Sequence, residues 1–80
     1  MKQLLIFSSS WCPSCQSLKK MLQSNGISYT EIDIDVNPEM AQDWSVRSLP
    51  TSAIIDKDVP GIKCDMFIGV KLQEIIKGME

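Results

Sequence analysis

Histidine is missing altogether from these 80 residues. That absence removes Cys-His nucleophilic catalysis and the nitrogen donors that many zinc sites use beside sulfur. It also rules out the haem-attachment pattern C-x-x-C-H, because Gln16 follows Cys15. Charge of one sign is scarce too. Eight Lys and Arg against ten Asp and Glu leave a net charge of −2 with no basic cluster, which gives no reason to expect a nucleic-acid or membrane-surface partner. No segment approaches the roughly 20 apolar residues that span a bilayer. The opening "MKQLLIFSSSWC" holds one Lys and only four consecutive apolar residues, with no small-residue cleavage site before Trp11. A buried strand is expected there rather than a leader.

Cysteine is present in an odd number. A disulfide-stapled secreted domain would show four, six or eight, so three favours a reducing cytoplasmic setting with one close pair and a third, packed thiol. A chain of this size forms one domain, residues 1–80, and buries only about 60–65% of its unfolded surface.

Leu4 to Phe7 reads as a central strand covered on both faces. Pro13 suits a first helical position, apolar residues recur at Cys15, Leu18, Met21 and Leu22, and Asn25-Gly26 supplies a left-handed stop, so a helix is expected over 13–24. Ile27 to Asp35, ending in alternating Ile32, Asp33, Ile34 and Asp35, reads as a second strand. Asn37-Pro38 repeats the start signal, with Asn37 as N-cap of a short helix through about Trp44. Thr51 to Ile55 is a third strand, "DKDVPG" is turn chemistry, and Ile62 to Ile68 alternates as a fourth, with Cys64 inside its apolar face. Leu72, Ile75, Ile76 and Met79 share one face of a last helix. The order β-α-β-α-β-β-α implies an α/β fold with a four-stranded mixed sheet and helices on both faces, parallel strands first and a hairpin last.

The chemistry sits in "WCPSC". Cysteines at i and i+3 in a first helical turn share a face, with Cα atoms roughly 5–6 Å apart, inside the disulfide window. The helix N-terminus favours thiolate over thiol, most of all at the first, exposed sulfur. Cys12 is therefore expected to attack and Cys15, buried beneath it, to resolve. Half a zinc knuckle would need two more ligands, and only Cys64 and carboxylates remain, so no metal is expected. A purely structural bridge closing so short a loop would add little. Cys64 reads as a small buried hydrophobe, with a regulatory or glutathione-contacting role as the lesser alternative. Trp44 reads as core packing, and Lys19 and Lys20 as a solvated face.

"WCPSC" after a strand, followed by "EIDIDVNP", "VRSLPT" and "MFIGVKLQEIIK", resembles the thioredoxin/glutaredoxin superfamily over nearly the whole chain, in the compact size of phage and archaeal members. The resemblance implies a thioredoxin-like fold and dithiol-disulfide oxidoreductase activity, with no cofactor beyond a redox-active Cys12–Cys15 disulfide. It also implies a cis proline at Pro50, with the backbone of Leu49 taking a substrate chain as an added strand. Trp11 becomes an apolar surface beside the sulfur, and Pro13 a residue that tunes the redox potential. The implied partners are protein disulfides, among them ribonucleotide reductase, with a thioredoxin-reductase-type enzyme or glutathione as electron source and a monomeric chain.

One departure stands out. Where the family has a buried Asp six residues before the first cysteine, this chain has Ile6, and where the facing strand commonly has Lys it has Glu31. Glu31 is a candidate proton acceptor, raised by burial; the plainer and favoured reading puts it on a solvated face with Asp33 and Asp35. "WC", "VRSLPT" and "FIGVKLQEIIK" favour thioredoxin. The Cys-Pro pair, the short N-terminus and Cys64-Asp65 point to glutaredoxin, which would also carry a Gly-Gly pair and a helix over 64–69. A third reading is a non-catalytic scaffold or binding subunit, although such a scaffold would not require both cysteines, Trp11 and Pro50.

Overall fold

Four apolar residues in a row become the spine of the sheet. The computed structural model describes residues 2–56 and 63–79. Its elements are β1 (Lys2–Ser8), α1 (Pro13–Ser24), β2 (Thr30–Asp33), α2 (Pro38–Asp43), β3 (Thr51–Asp56), β4 (Lys63–Ile68) and α3 (Leu72–Met79), in the order expected. The sheet runs β2-β1-β3-β4. β1 pairs parallel with β2, and β3 pairs antiparallel with both β1 and β4. Only the first crossover is thus of the parallel β-α-β kind; the chain leaving α2 returns to the other side of β1 in the opposite direction. The turn over 57–62, including Ile62, lies outside the described residues.

Alternation along β1 feeds two cores. Leu4 and Ile6 join Leu18 and Leu22 of α1, Ile54 of β3 and Ile75 of α3, with Ile27, Tyr29, Phe67, Leu72 and Met79 packed around them. Leu5 and Phe7 face the other way with Ile32 and Ala53, under Met40 of α2, Trp44, Val46 and Leu49. Trp44 packs as the sequence suggested, its ring tilted by 50° on Phe7 with centroids 5.8 Å apart.

Helix α1 ends as "NG" predicts. Gly26 sits at φ +67°, its N–H donates to the Gln23 carbonyl, and the Ile27 N–H donates to the Leu22 carbonyl at 2.9 Å. These are the paired bonds of a Schellman stop, with Ile27 and Leu22 in one apolar cluster. At α2 the expectation is corrected: the Asn37 side chain makes no capping bond. Backbone bonds close the entry instead, with the N–H groups of Val36 and Asn37 both reaching the Asp33 carbonyl.

A second correction concerns β4. Register puts Cys64, Met66 and Ile68 opposite Ile55, Ala53 and Thr51, on the α2 side of the sheet. The six-residue α2 covers β1 and β3 but stops short of this edge strand. Cys64 is exposed rather than packed, and Ile68 remains 62% exposed. Alternation was read correctly; which face lacked a helix was not.

The register also fixes where the connections meet. Phe7 pairs with Thr51, Ser8 with Asp33, and Thr51 with Ile68. The ends of β1, β2 and β4 and the beginning of β3 therefore lie at one end of the sheet. One buried hydroxyl has no partner among the described residues, Ser52 Oγ. Leu22→Ala, at a site with no exposure, is expected to lower the urea-derived unfolding free energy by about 2–5 kcal/mol. Ile68→Thr should stay within about 0.5 kcal/mol, and Ser52→Ala should be neutral or stabilising. A large loss at Ile68 would mean that β4 is covered after all.

Candidate active site

The strand-to-helix turn after β1 is drawn tight around Ser9. The Cys12 N–H donates to the Ser9 carbonyl at 3.3 Å, and Gln16 Nε2 reaches the same oxygen at 3.4 Å. Ser9 Oγ accepts the Trp11 N–H at 3.3 Å and donates to the Asp35 carboxylate at 3.1 Å. Ser9 is 1% exposed. Sequence reasoning passed over it as one of three serines, although a Ser two residues before an exposed Trp is able to close such a turn.

Cys12 is the N-cap of α1. Its backbone is extended (φ −98°, ψ 106°) and its Sγ accepts the Cys15 N–H at 3.3 Å, standing where a Ser or Asp oxygen normally caps a helix. Pro13 occupies the first turn, where a missing N–H costs nothing. Both thiols are free. Cys12 is less open than expected, at 6% exposure against 0% for Cys15, although it is still the more accessible of the two. Cys15 is pushed up to about 11, chiefly by burial, with the hydrogen bond and charge of Cys12 adding to it; the backbone of Ser9 and the charge of Lys19 pull the other way.

From the other strands, the Leu49–Pro50 bond is cis, Pro50 is buried, and Leu49 is half-buried in the α2-side cluster. The Gly69 N–H donates to the Pro50 carbonyl at 2.8 Å, tying the residue after β4 to the residue before β3. Around this end Trp11 (67% exposed), Ile68 and Val70 present apolar surface. The fold thus brings Trp11, Cys12, Pro13, Cys15, Leu49 and Pro50 to one end of the sheet.

Glu31 is placed differently from its candidate role. It pairs with Ile6 in the β1–β2 register, as the sequence comparison supposed. Its carboxylate is not raised by burial: an ion pair with Lys19, then the Ser8 hydroxyl donating at 2.6 Å, hold it below the ordinary glutamate range. It is also no merely solvated side chain. Lys19 leaves the solvated face assigned to it, its side chain only 15% exposed against Glu31. Lysine at i+4 from a cysteine was the available signal.

A helix capped by one thiol and burying a second in its first turn, set at the end of a four-stranded mixed sheet, defines a thioredoxin-fold dithiol protein. Comparison with known proteins agrees. The glutaredoxin family profile matches residues 4–54. The thioredoxin of Equus caballus is 31% identical over 91% of this chain and 74% of its own length. The glutaredoxin of Pseudomonas aeruginosa is 38% identical over 65% of this chain and 62% of its own. The structure of Trichomonas vaginalis thioredoxin superposes with a TM-score of 0.82 at 28% identity, covering 95% of this chain and 74% of that one. The chain belongs to the thioredoxin/glutaredoxin superfamily of thiol-disulfide oxidoreductases. It spans 14% of the bifunctional thioredoxin reductase/thioredoxin of Mycobacterium leprae and 46% of the thioredoxin-2 of Pyricularia oryzae, both 32% identical to it. Among the described residues, no helix is long and apolar enough to cross a membrane, and no three metal-ligating side chains cluster.

The Glu31 ion pair gives a signed pH dependence. A depressed carboxyl stabilises in full above the ordinary glutamate range, and that part is lost as pH falls through its folded value. Glu31→Gln should therefore lower Tm at pH 7 and converge with the parent as pH falls below the ordinary glutamate range; parallel curves at all pH would show that the pair adds nothing.

Proposed function

We propose that this protein reduces protein disulfides by dithiol exchange, Cys12 attacking and Cys15 resolving. The observation that carries the reading is the Cys15 N–H on Cys12 Sγ at the N-cap of α1. It sets Cys12 Sγ, the more accessible of the two sulfurs, at the N-terminus of α1, with the buried Cys15 thiol, pushed up to about 11, directly behind it. Attack by Cys12 on a substrate disulfide forms a mixed disulfide and expels one substrate thiolate. Cys15 then closes the Cys12–Cys15 bond and expels the second, so two electrons pass from the dithiol to the substrate. No cofactor beyond that disulfide enters the reaction.

Trp11, Ile68 and Val70 are apolar ground for the polypeptide carrying the disulfide, and the backbone of Leu49 before the cis proline is its strand partner. Ribonucleotide reductase is one such substrate by family resemblance alone. For recharging, the fusion named as a thioredoxin reductase/thioredoxin supports a reductase of that kind. Glutathione is the second reading, favoured by the glutaredoxin profile over 4–54. Against it, residues 63–68 are strand and not helix, and Asp65 stands beside an outward-facing Cys64.

Insulin turbidity with dithiothreitol tests the activity: the parent should accelerate precipitation, and Cys12→Ser and Cys15→Ser should not. Equal behaviour of Cys12→Ser and parent would leave a scaffold. Equilibration against glutathione, in a Cys64→Ser background, then separates the donors, near −270 mV for a thioredoxin and near −200 to −230 mV for a glutaredoxin.

A further inference from the structure

In the second half of dithiol exchange a fully buried thiol must lose its proton in apolar surroundings. Ile6, which is 0% exposed, places no charge beneath the helix. What the chain offers instead lies one turn along α1. Lys19 follows Cys15 at i+4 and so shares its helix face. Its side chain is 15% exposed, unusual for a lysine unless it is paired, and it is paired with Glu31 of β2. Glu31 is fixed in turn by the hydroxyl of Ser8, itself 0% exposed on β1. Three elements thus hold one ammonium at the margin of α1, against a Glu31 side chain that is 41% exposed.

On the dithiol-exchange reading, we propose that Lys19 is a positioning residue for the resolving step: its anchored ammonium favours the Cys15 thiolate once Cys12 is bound to substrate. The charged groups on the surrounding elements are Lys2 on β1, Cys12, Lys19 and Lys20 at and on α1, Glu31, Asp33 and Asp35 on and after β2, Asp56 on β3, Lys63 and Asp65 on β4, and Glu74 and Lys77 on α3. Those whose charge acts on Cys15 are Cys12, which holds its proton on, and Lys19, which opposes that. In the mixed disulfide the Cys12 sulfur is uncharged and a poorer acceptor, so both of its contributions fall away. Burial then stands against the Ser9 backbone and Lys19 alone, and Lys19 counts for more than in the free dithiol. The step balances: Cys15 thiolate attacks Cys12 Sγ, the Cys12–Cys15 bond forms as the Cys12–substrate S–S bond breaks, and the substrate sulfur leaves with the electron pair. The proton from Cys15 passes through solvent to a substrate thiolate.

Stopped-flow reduction of one equivalent of 5,5′-dithiobis(2-nitrobenzoate) by the reduced full chain carrying Cys64→Ser reads the two halves separately. The first nitrothiobenzoate is released as Cys12 attacks and the second as Cys15 resolves. Lys19→Gln and Lys19→Met, with fold checked by circular dichroism, should slow the second release about three- to tenfold at pH 7 and move its pH midpoint upward. The high-pH plateau and the first release should be unchanged, and Lys19→Arg should restore the parental profile. An unshifted midpoint in whichever neutral variant folds would overturn the proposal. So would a slowing equal at every pH that arginine does not relieve, which marks packing alone. A parent with no second release at any pH would instead sink the dithiol reading itself.

Discussion

The N–H of Cys15 reaching Cys12 Sγ across 3.3 Å ties the reactive sulfur to the first turn of α1, and the rest of the site is arranged around that contact. A cap residue must leave the helix with extended backbone, which Cys12 does. That geometry is possible only because Ser9, at the end of β1, receives the Cys12 N–H. The sheet therefore holds the loop, the loop holds the cap, and the cap is Cys12. Pro13 adds to this by removing one competing donor at the first helical position. Polar buried side chains at Ser8 and Ser9, otherwise costly at the end of an apolar strand, are satisfied by Glu31 of β2 and by Asp35 in the turn that follows it.

How much of this was legible follows from the range of the forces involved. Caps, stops and periodicity act within a few residues, so the bounds of α1, its glycine stop and the order of all seven elements could be read from the chain. The cysteine pair was legible for the same reason: spacing within one helical turn fixes a shared face. Side-chain contacts between elements were not, although the resemblance had already set Glu31 opposite Ile6. Whether Cys64 packs or faces solvent depends on how far α2 extends across the sheet, and nothing local to residues 62–68 encodes that. Lys19 and Glu31 are 12 residues apart in sequence, and each alone reads as an ordinary surface charge. Their pairing follows from the β1–β2 register, which sets Glu31 beside Ile6 under α1.

That pairing changes how the unusual positions Ile6 and Glu31 are understood. A buried carboxyl in β1 would have brought an acid into the core beneath α1; Ile6 fills that space with apolar volume and joins Leu18 and Leu22. A carboxylate and an ammonium are still present nearby, but at the margin of the sheet, with the ammonium carried by the same helix as the cysteines. A partly covered pair costs less desolvation than a buried one. It also keeps its anion tied up, so Glu31 is poorly suited to receive a proton.

The two family signals divide along the chain in a way the fold explains. The glutaredoxin profile stops at residue 54, within β3. The stretch it covers holds both cysteines, the cis proline and the β1–β2 edge, which is the part both branches need for dithiol exchange. Thioredoxin relatives continue through the last third, over 91% of the chain. That third is β4 and α3, where Gly69 hydrogen-bonds to Pro50 and where Ile68 and Val70 stand beside the site. The cysteine pair thus belongs to the part of the molecule that the glutaredoxin profile matches, whereas the exposed apolar residues Ile68 and Val70 lie beyond it. Residues 63–79 can then vary without disturbing the Cys12 cap, which is built entirely from residues 9–16.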